Sequence, residues 1–250
     1  YQYGAMAIVN LLLIAENMFR VVYRPIIFKY FEKNDHDEMR RLTMTITKLF
    51  IITVVFGSFL LYAFSPFLIP FFTQSQYLPA IAVIPILLIS QIIGYLRTLL
   101  AYGHTLYYKN YWTTIAGVAA IIIATIVGVF IIPSLGLIGL GIVYLLISTI
   151  QFIVLIIVSQ HYFKNKYDIS LIIRLIAVCI IAIGIGMFLR NIVFINNPHS
   201  LLISYSISSA VFAGSVILFK LISLKDVSFL KNLVNSYLSI IKSKSKSNSS

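Results

Sequence analysis

Glu16, Arg20 and Arg24 stand four residues apart in a stretch that is otherwise almost wholly apolar. In a helix each step of four advances the side chain by only about 40°, so the three share one face, with Tyr23 beside them. An ionised group costs about 2.5–3.5 kcal/mol at the centre of a bilayer on insertion scales, and such groups mark pathways by default. Glu16 and Arg20 are spaced to pair along the helix, which leaves Arg24 free for an anion. Arginine suits that task better than lysine because its planar fork binds phosphate oxygens bidentately. The competing structural role has Glu16 and Arg20 neutralising one another between packed helices, with Arg24 marking the membrane edge. Pro25 biases Arg24 away from helical geometry and is expected to bend the segment. Arg97 is the next candidate, flanked by Gln91, Tyr95, Thr98, Tyr102 and His104. It stands about one to two turns from the end of its segment, where it either lines a cavity or snorkels to the interface. The candidate binding residues are therefore Arg20, Arg24 and Arg97, with Glu16 and Tyr23 as their polar partners.

Other chemistry is missing from the sequence. It has no glycine loop ending in Gly-Lys-Ser/Thr, no His-Glu-x-x-His helix, no cysteine pair and no Gly-x-Ser-x-Gly elbow. Neither an enzyme activity nor a cofactor is expected. His104 and His161 have no metal-ligand partners at useful spacing. Cys179 is the only cysteine, so an intramolecular disulfide is excluded.

The elements that must hold these residues follow from composition. Of the 250 residues 60% are apolar and 10% charged, and the mean hydropathy is +0.98; soluble domains carry about 45–50% and 25%. The solvent is a bilayer. Dividing the chain at charged, Pro or Asn clusters gives apolar segments at about 4–30, 44–66, 79–102, 112–133, 137–160, 170–190 and 200–223. None alternates with a period of two, so a barrel is excluded. The expected fold class is all-α, a polytopic membrane protein of seven transmembrane helices. Gly136, Gly139 and Gly141, following Pro133, predict a tight turn entering a closely packed helix.

The formal charge of +12 is spread between apolar spans and forms no single basic face, so nucleic acid is not an expected partner. Its distribution instead reports sidedness. Lys29, Lys33, Arg40, Arg41 and Lys48 fall in the first connection, Lys109 in the third, and Lys164, Lys166 and Arg174 in the fifth. Six lysines from Lys220 to Lys246 fall at the end of the last span and in the tail. The second and fourth connections carry no cation and the sixth only Arg190. By the positive-inside rule the odd connections and the tail are cytoplasmic and the chain starts outside. Glu32 to Arg41, where acids nearly cancel bases, is expected to be a solvated turn. Val227, Leu230, Leu233, Val234, Tyr237, Leu238 and Ile241 recur at helical spacing and predict an interfacial helix, followed by a flexible basic tail over 243–250.

Four stretches, in this order, carry a family resemblance: Tyr3, Gly4 and Ala5 opening a span that ends at Arg24-Pro25; Pro66-Phe-Leu-Ile-Pro-Phe-Phe followed by Tyr77-Leu-Pro-Ala80; Pro85-Ile-Leu; and Ile132-Pro-Ser-Leu-Gly136-Leu-Ile-Gly139. Over residues 1–160 the chain resembles the polysaccharide biosynthesis or O-antigen flippase family, within the superfamily of multidrug/oligosaccharidyl-lipid/polysaccharide exporters. The resemblance implies helices eight to fourteen of a fourteen-helix protein. Residues 1–160 would supply five helices of the C-terminal half-bundle, 161–224 two appended helices, and 225–250 the interfacial helix and tail. A fourteen-span protein with a cytoplasmic N-terminus starts its eighth span outside, in agreement with the cation count. The chain is then expected to be the C-terminal piece of a longer protein whose N-terminal half is its partner. The implied function is export of a lipid-linked oligosaccharide across the cytoplasmic membrane, the tail staying in the bilayer while sugar and pyrophosphate cross through a cavity. A multidrug/cation antiporter of the same superfamily would call on carboxylates, of which the spans offer Glu16. A membrane-embedded polymerase would need a long extramembrane loop, and none of the connections is long enough.

Overall fold

The computed structural model describes residues 5–6, 9–72, 75–101, 103–163 and, further on, 206–207, 209–210 and 214. The expected sixth span, most of the seventh, Cys179, Arg190, and the segment 225–250 lie outside them. Among the described residues the chain is helical and contains no strand. The elements are α1 (Leu11–Glu32), α2 (His36–Phe72), a 3₁₀ segment (Ser75–Ala82), α3 (Ile84–Leu100), the single turn α4 (Gly103–Leu106) and α5 (Tyr111–Tyr162). Three stretches of helix are long and apolar enough to cross a membrane: His36–Tyr62, Ile84–Leu106 and Tyr111–Tyr162.

The third of these has 52 residues, about 78 Å if straight. It is not straight, because Gly136 has φ 55° and ψ −123°, a conformation that a side chain opposes. A Cβ placed on Gly128 would lie 3.3 Å from Val143, and one on Gly117 would lie 3.8 Å from Gln151. Both pairs are nearly symmetric about Gly136, so the two arms fold back on each other as an antiparallel hairpin. Each arm exceeds the ~20 residues a bilayer requires. The fourth and fifth expected spans are these arms, turning where the sequence placed the break. Ala116, Ala120, Ala124 and Gly128, every fourth residue of the first arm, are buried; small side chains at that spacing allow close helix approach.

Helix α3 runs parallel to the second arm. The Ser90 hydroxyl donates to the Tyr144 carbonyl at 3.1 Å and bonds Ser148 Oγ at 2.8 Å, and the Gly103 amide donates to Ser159 Oγ at 2.8 Å. The separation in sequence stays almost constant along this contact, as a parallel pair demands. Ile27, Met39, Leu42, Ile46, Phe50, Ile69, Ile84, Leu87 and Leu106 form the core between α1, α2, α3 and α4.

Several local expectations are corrected. The turn expected over Glu32–Arg41 shrinks to Lys33–Asp35, because Asn34 takes a left-handed conformation (φ 57°) and Asp35 Oδ1 accepts the Glu38 amide at 3.2 Å, capping α2 at once. Arg40–Asp37 (3.8 Å) and Arg41–Glu38 (3.9 Å) are ion pairs within the first turns of α2. Arg24 and Pro25 are both helical, and α1 continues to Glu32; the proline removes only its own donor to the Val21 carbonyl. The connection expected over 64–79 is largely helical, with α2 reaching Phe72 and the 3₁₀ segment starting at Ser75.

The first, third and fifth connections meet at one end of the bundle. Phe31 stacks edge-on against Tyr107 (5.3 Å), Tyr107 lies 5.9 Å from Tyr162, His36 lies 5.8 Å from Phe163, and the Arg40 guanidinium sits 5.2 Å over the Phe163 ring. Arginine over an aromatic face contributes about 0.5–2 kcal/mol, and rings cluster in this way at membrane–water interfaces.

Candidate functional site

Helix α1 carries Glu16, Arg20 and Arg24 on one face, as their spacing dictates, and that face borders a cavity of about 250 Å³. Opposite stand Tyr95, Arg97 and Thr98 of α3, His104 and Thr105 of α4, and Thr113 of α5. The structure thus brings Arg20, Arg24, Arg97 and Glu16 to one place from two helices about eighty residues apart in sequence. Tyr23 lies within α1, and its side chain lies outside the described residues.

The approach of α4 depends on a close backbone contact. Helix α3 ends at Ala101 (φ −99°, ψ 41°), and Gly103 then passes so near the hairpin that a Cβ there would lie 2.6 Å from both the carbonyl oxygen and the hydroxyl of Ser159. Only glycine permits this approach, and it returns His104 and Thr105 to the cavity lining. His104 is 3% exposed; its Nε2 bonds Thr113 Oγ1 at 3.0 Å, and its Nδ1 is buried without a partner among the described residues. Tyr95 is equally buried, packs edge-on against Phe50 (5.9 Å), and has no partner for its hydroxyl. Buried polar atoms rarely go unpaired, because each costs about 1–3 kcal/mol.

The expected Glu16–Arg20 pair is absent. The ion pairs found among the described residues are Arg40–Asp37 and Arg41–Glu38. Arg20 Nη2 donates instead to Asn17 Oδ1 at 2.7 Å, and Glu16 Oε1 accepts from Thr98 Oγ1 at 3.4 Å. The neighbouring amide oxygen is the nearer acceptor for Arg20, and the carboxylate turns across the cavity to α3. Arg24 and Arg97 have no hydrogen bond or ion pair among the described residues, although both lie close enough to feel the Glu16 charge. Three guanidiniums against one carboxylate leave a net charge of +2 around the lining. Charge and forked N–H donors of this kind are what an anion-binding site requires.

Sequence reasoning named Tyr95, Thr98 and His104 only as flanks of Arg97 and missed Thr105 and Thr113. His104 follows Arg97 by seven residues, but the helix ends between them, so helical spacing does not place it in the lining and the close approach of Gly103 does. Thr113 lies on another helix and has no signal at this level.

Comparison with known proteins returns no match: no family model, no curated protein and no solved structure. The likeness to the flippase family rests on the four sequence stretches given above.

Proposed function

We propose that this chain is the C-terminal half of an exporter that moves a lipid-linked oligosaccharide across the cytoplasmic membrane by alternating access, with the cavity beside α1 as the passage for the phosphorylated linkage. The observation that carries the reading is the convergence of Arg20, Arg24 and Arg97 on one cavity within an otherwise apolar bundle. Charges in such surroundings are costly unless they face water or a counterion. A pyrophosphate is still more costly in hydrocarbon, so each supplies what the other needs. The volume agrees with the charge: about 250 Å³ is below the ~300–1,000 Å³ of pockets that enclose drug-sized ligands. It is large enough for a diphosphate. The positive lining also weighs against a cationic drug as cargo.

In this reading seven helices span the membrane, and the end where Phe31, Tyr107 and Tyr162 meet faces the cytoplasm. Rocking of this half against its N-terminal partner exposes the cavity to each side in turn. The protein is a carrier and needs no cofactor.

The test replaces Arg24 with alanine in the full-length protein and measures surface polysaccharide alongside the amount of protein in the membrane. Export is expected to fall at least about tenfold, the loss of one charge-assisted phosphate contact. Unchanged export at normal protein level overturns the assignment.

A further inference from the structure

A cavity built only to hold an anion would use every charge near it for attraction, yet Glu16 is in this one. Its carboxylate is not tied to any guanidinium, since no ion pair within 4.0 Å joins it to Arg20, Arg24 or Arg97. Its one hydrogen bond among the described residues comes from Thr98 Oγ1 at 3.4 Å, and the same hydroxyl also donates to the Gly94 carbonyl at 3.2 Å. One proton serves two acceptors, so Glu16 is held loosely. Meanwhile Arg20 is satisfied by Asn17 at 2.7 Å. The carboxylate therefore spends its charge at a distance, on Arg24 and Arg97 together, without blocking the donors of either.

We propose that Glu16 is the release element of the site: a fixed negative charge that repels the bound phosphate group and keeps its affinity low enough for it to leave. The inference rests on the reading of the cavity as an anion passage. A transport site must bind well enough to load and weakly enough to unload, and three arginines without opposition hold a diphosphate too firmly. Glu16 also supplies the guanidiniums with a counter-charge while the cavity is empty, which lowers the cost of keeping them in the bundle. An anion entering replaces that counter-charge. Glu16 reclaims it as the anion goes. A merely structural Glu16 would make the opposite prediction, because losing a support of the arginines weakens binding.

The test titrates inorganic pyrophosphate into the full-length protein in nanodiscs, comparing wild type, Glu16→Gln and Arg24→Ala. Gln keeps the oxygen that accepts from Thr98 and removes only the charge; Glu16→Ser is the second variant. Both Glu16 variants are expected to bind pyrophosphate about tenfold more tightly, with the gain appearing as slower dissociation. Arg24→Ala is expected to bind more weakly. Equal or weaker binding by the Glu16 variants, in a protein whose wild type binds and whose Arg24→Ala form binds more weakly, overturns the release role and leaves the passage standing. Absence of pyrophosphate binding by the wild type overturns the passage, and the release role with it.

Discussion

Replacing Gly103 with alanine tests whether the α4 turn is held against the hairpin as described. The new methyl group would meet Ser159 O and Oγ at 2.6 Å and Phe163 Cβ at 3.1 Å, and two of these three atoms belong to a backbone carbonyl and a short side chain that cannot swing far. Something must move. Overpacking of this kind costs about 1–3 kcal/mol. The movement also stretches the bond from the Gly103 amide to Ser159 Oγ, now 2.8 Å and buried, and an orphaned buried donor costs a further 1–3 kcal/mol or so. The expected loss is about 2–6 kcal/mol. Gly94, inside α3, is the matched control: a Cβ there meets nothing within 4 Å, and alanine in a helix interior is favoured over glycine by about 0.5–1 kcal/mol. Equilibrium unfolding of both variants in mixed micelles, followed by circular dichroism, gives the comparison. Gly103→Ala is expected to be less stable than wild type and Gly94→Ala equal or more stable. If Gly103→Ala unfolds within 0.5 kcal/mol or so of wild type, a margin typical of uninvolved positions, the close approach of α4 to α5 is wrong, and His104 has no fixed place in the cavity.

Gly136 has open space around it but a backbone that only glycine adopts readily, so Gly136→Ala should cost about 1–3 kcal/mol through strain alone, read in the same unfolding assay; no change would deny the hairpin turn. Thr98→Val frees Glu16 to swing onto Arg24 or Arg97 and should weaken pyrophosphate binding by about threefold to tenfold, a lost hydrogen bond's worth; tighter binding would contradict the restraining role of Thr98. Deleting 226–250, which the sequence assigns to an interfacial helix and a basic tail, should leave the amount of membrane-integrated protein unchanged in a carbonate extraction; its loss would show that the segment is needed for insertion.

The bilayer made much of the described fold readable. Because apolar runs in lipid must satisfy their own backbone groups, the helices of α2, α3 and both arms of α5 followed from hydropathy, and the turn near Gly136 followed from Pro133 and the glycines after it. Helix ends were harder to place. Hydropathy does not register that Asn34 and Asp35 can close a turn in three residues, nor that α2 continues to Phe72 with Ile69 fully buried. The register of α3 against the second arm was invisible, since it depends on serines and glycines, Ser90 with Ser148 and Gly103 with Ser159, whose types are unremarkable singly and whose pairing exists only after folding.

The site divided along the same line. Charged residues in an apolar helix are conspicuous because the surroundings make them costly, so Glu16, Arg20, Arg24 and Arg97 could be picked out from spacing, and all four border one cavity. Their partners could not be read in the same way. Spacing of four makes Glu16 and Arg20 neighbours, but it does not rank Asn17 against Glu16 as the acceptor for Arg20, or Thr98 of another helix against Arg20 as the partner of Glu16. The helix supplies proximity, and tertiary packing chooses among neighbours that differ by about 1 kcal/mol, the net value of one hydrogen bond. That choice decides the chemistry. A Glu16 paired with Arg20 would leave a neutral couple and a lone Arg24, whereas the observed arrangement leaves the donors of Arg24 and Arg97 open with a carboxylate standing nearby, the arrangement on which the proposed passage and release roles rest.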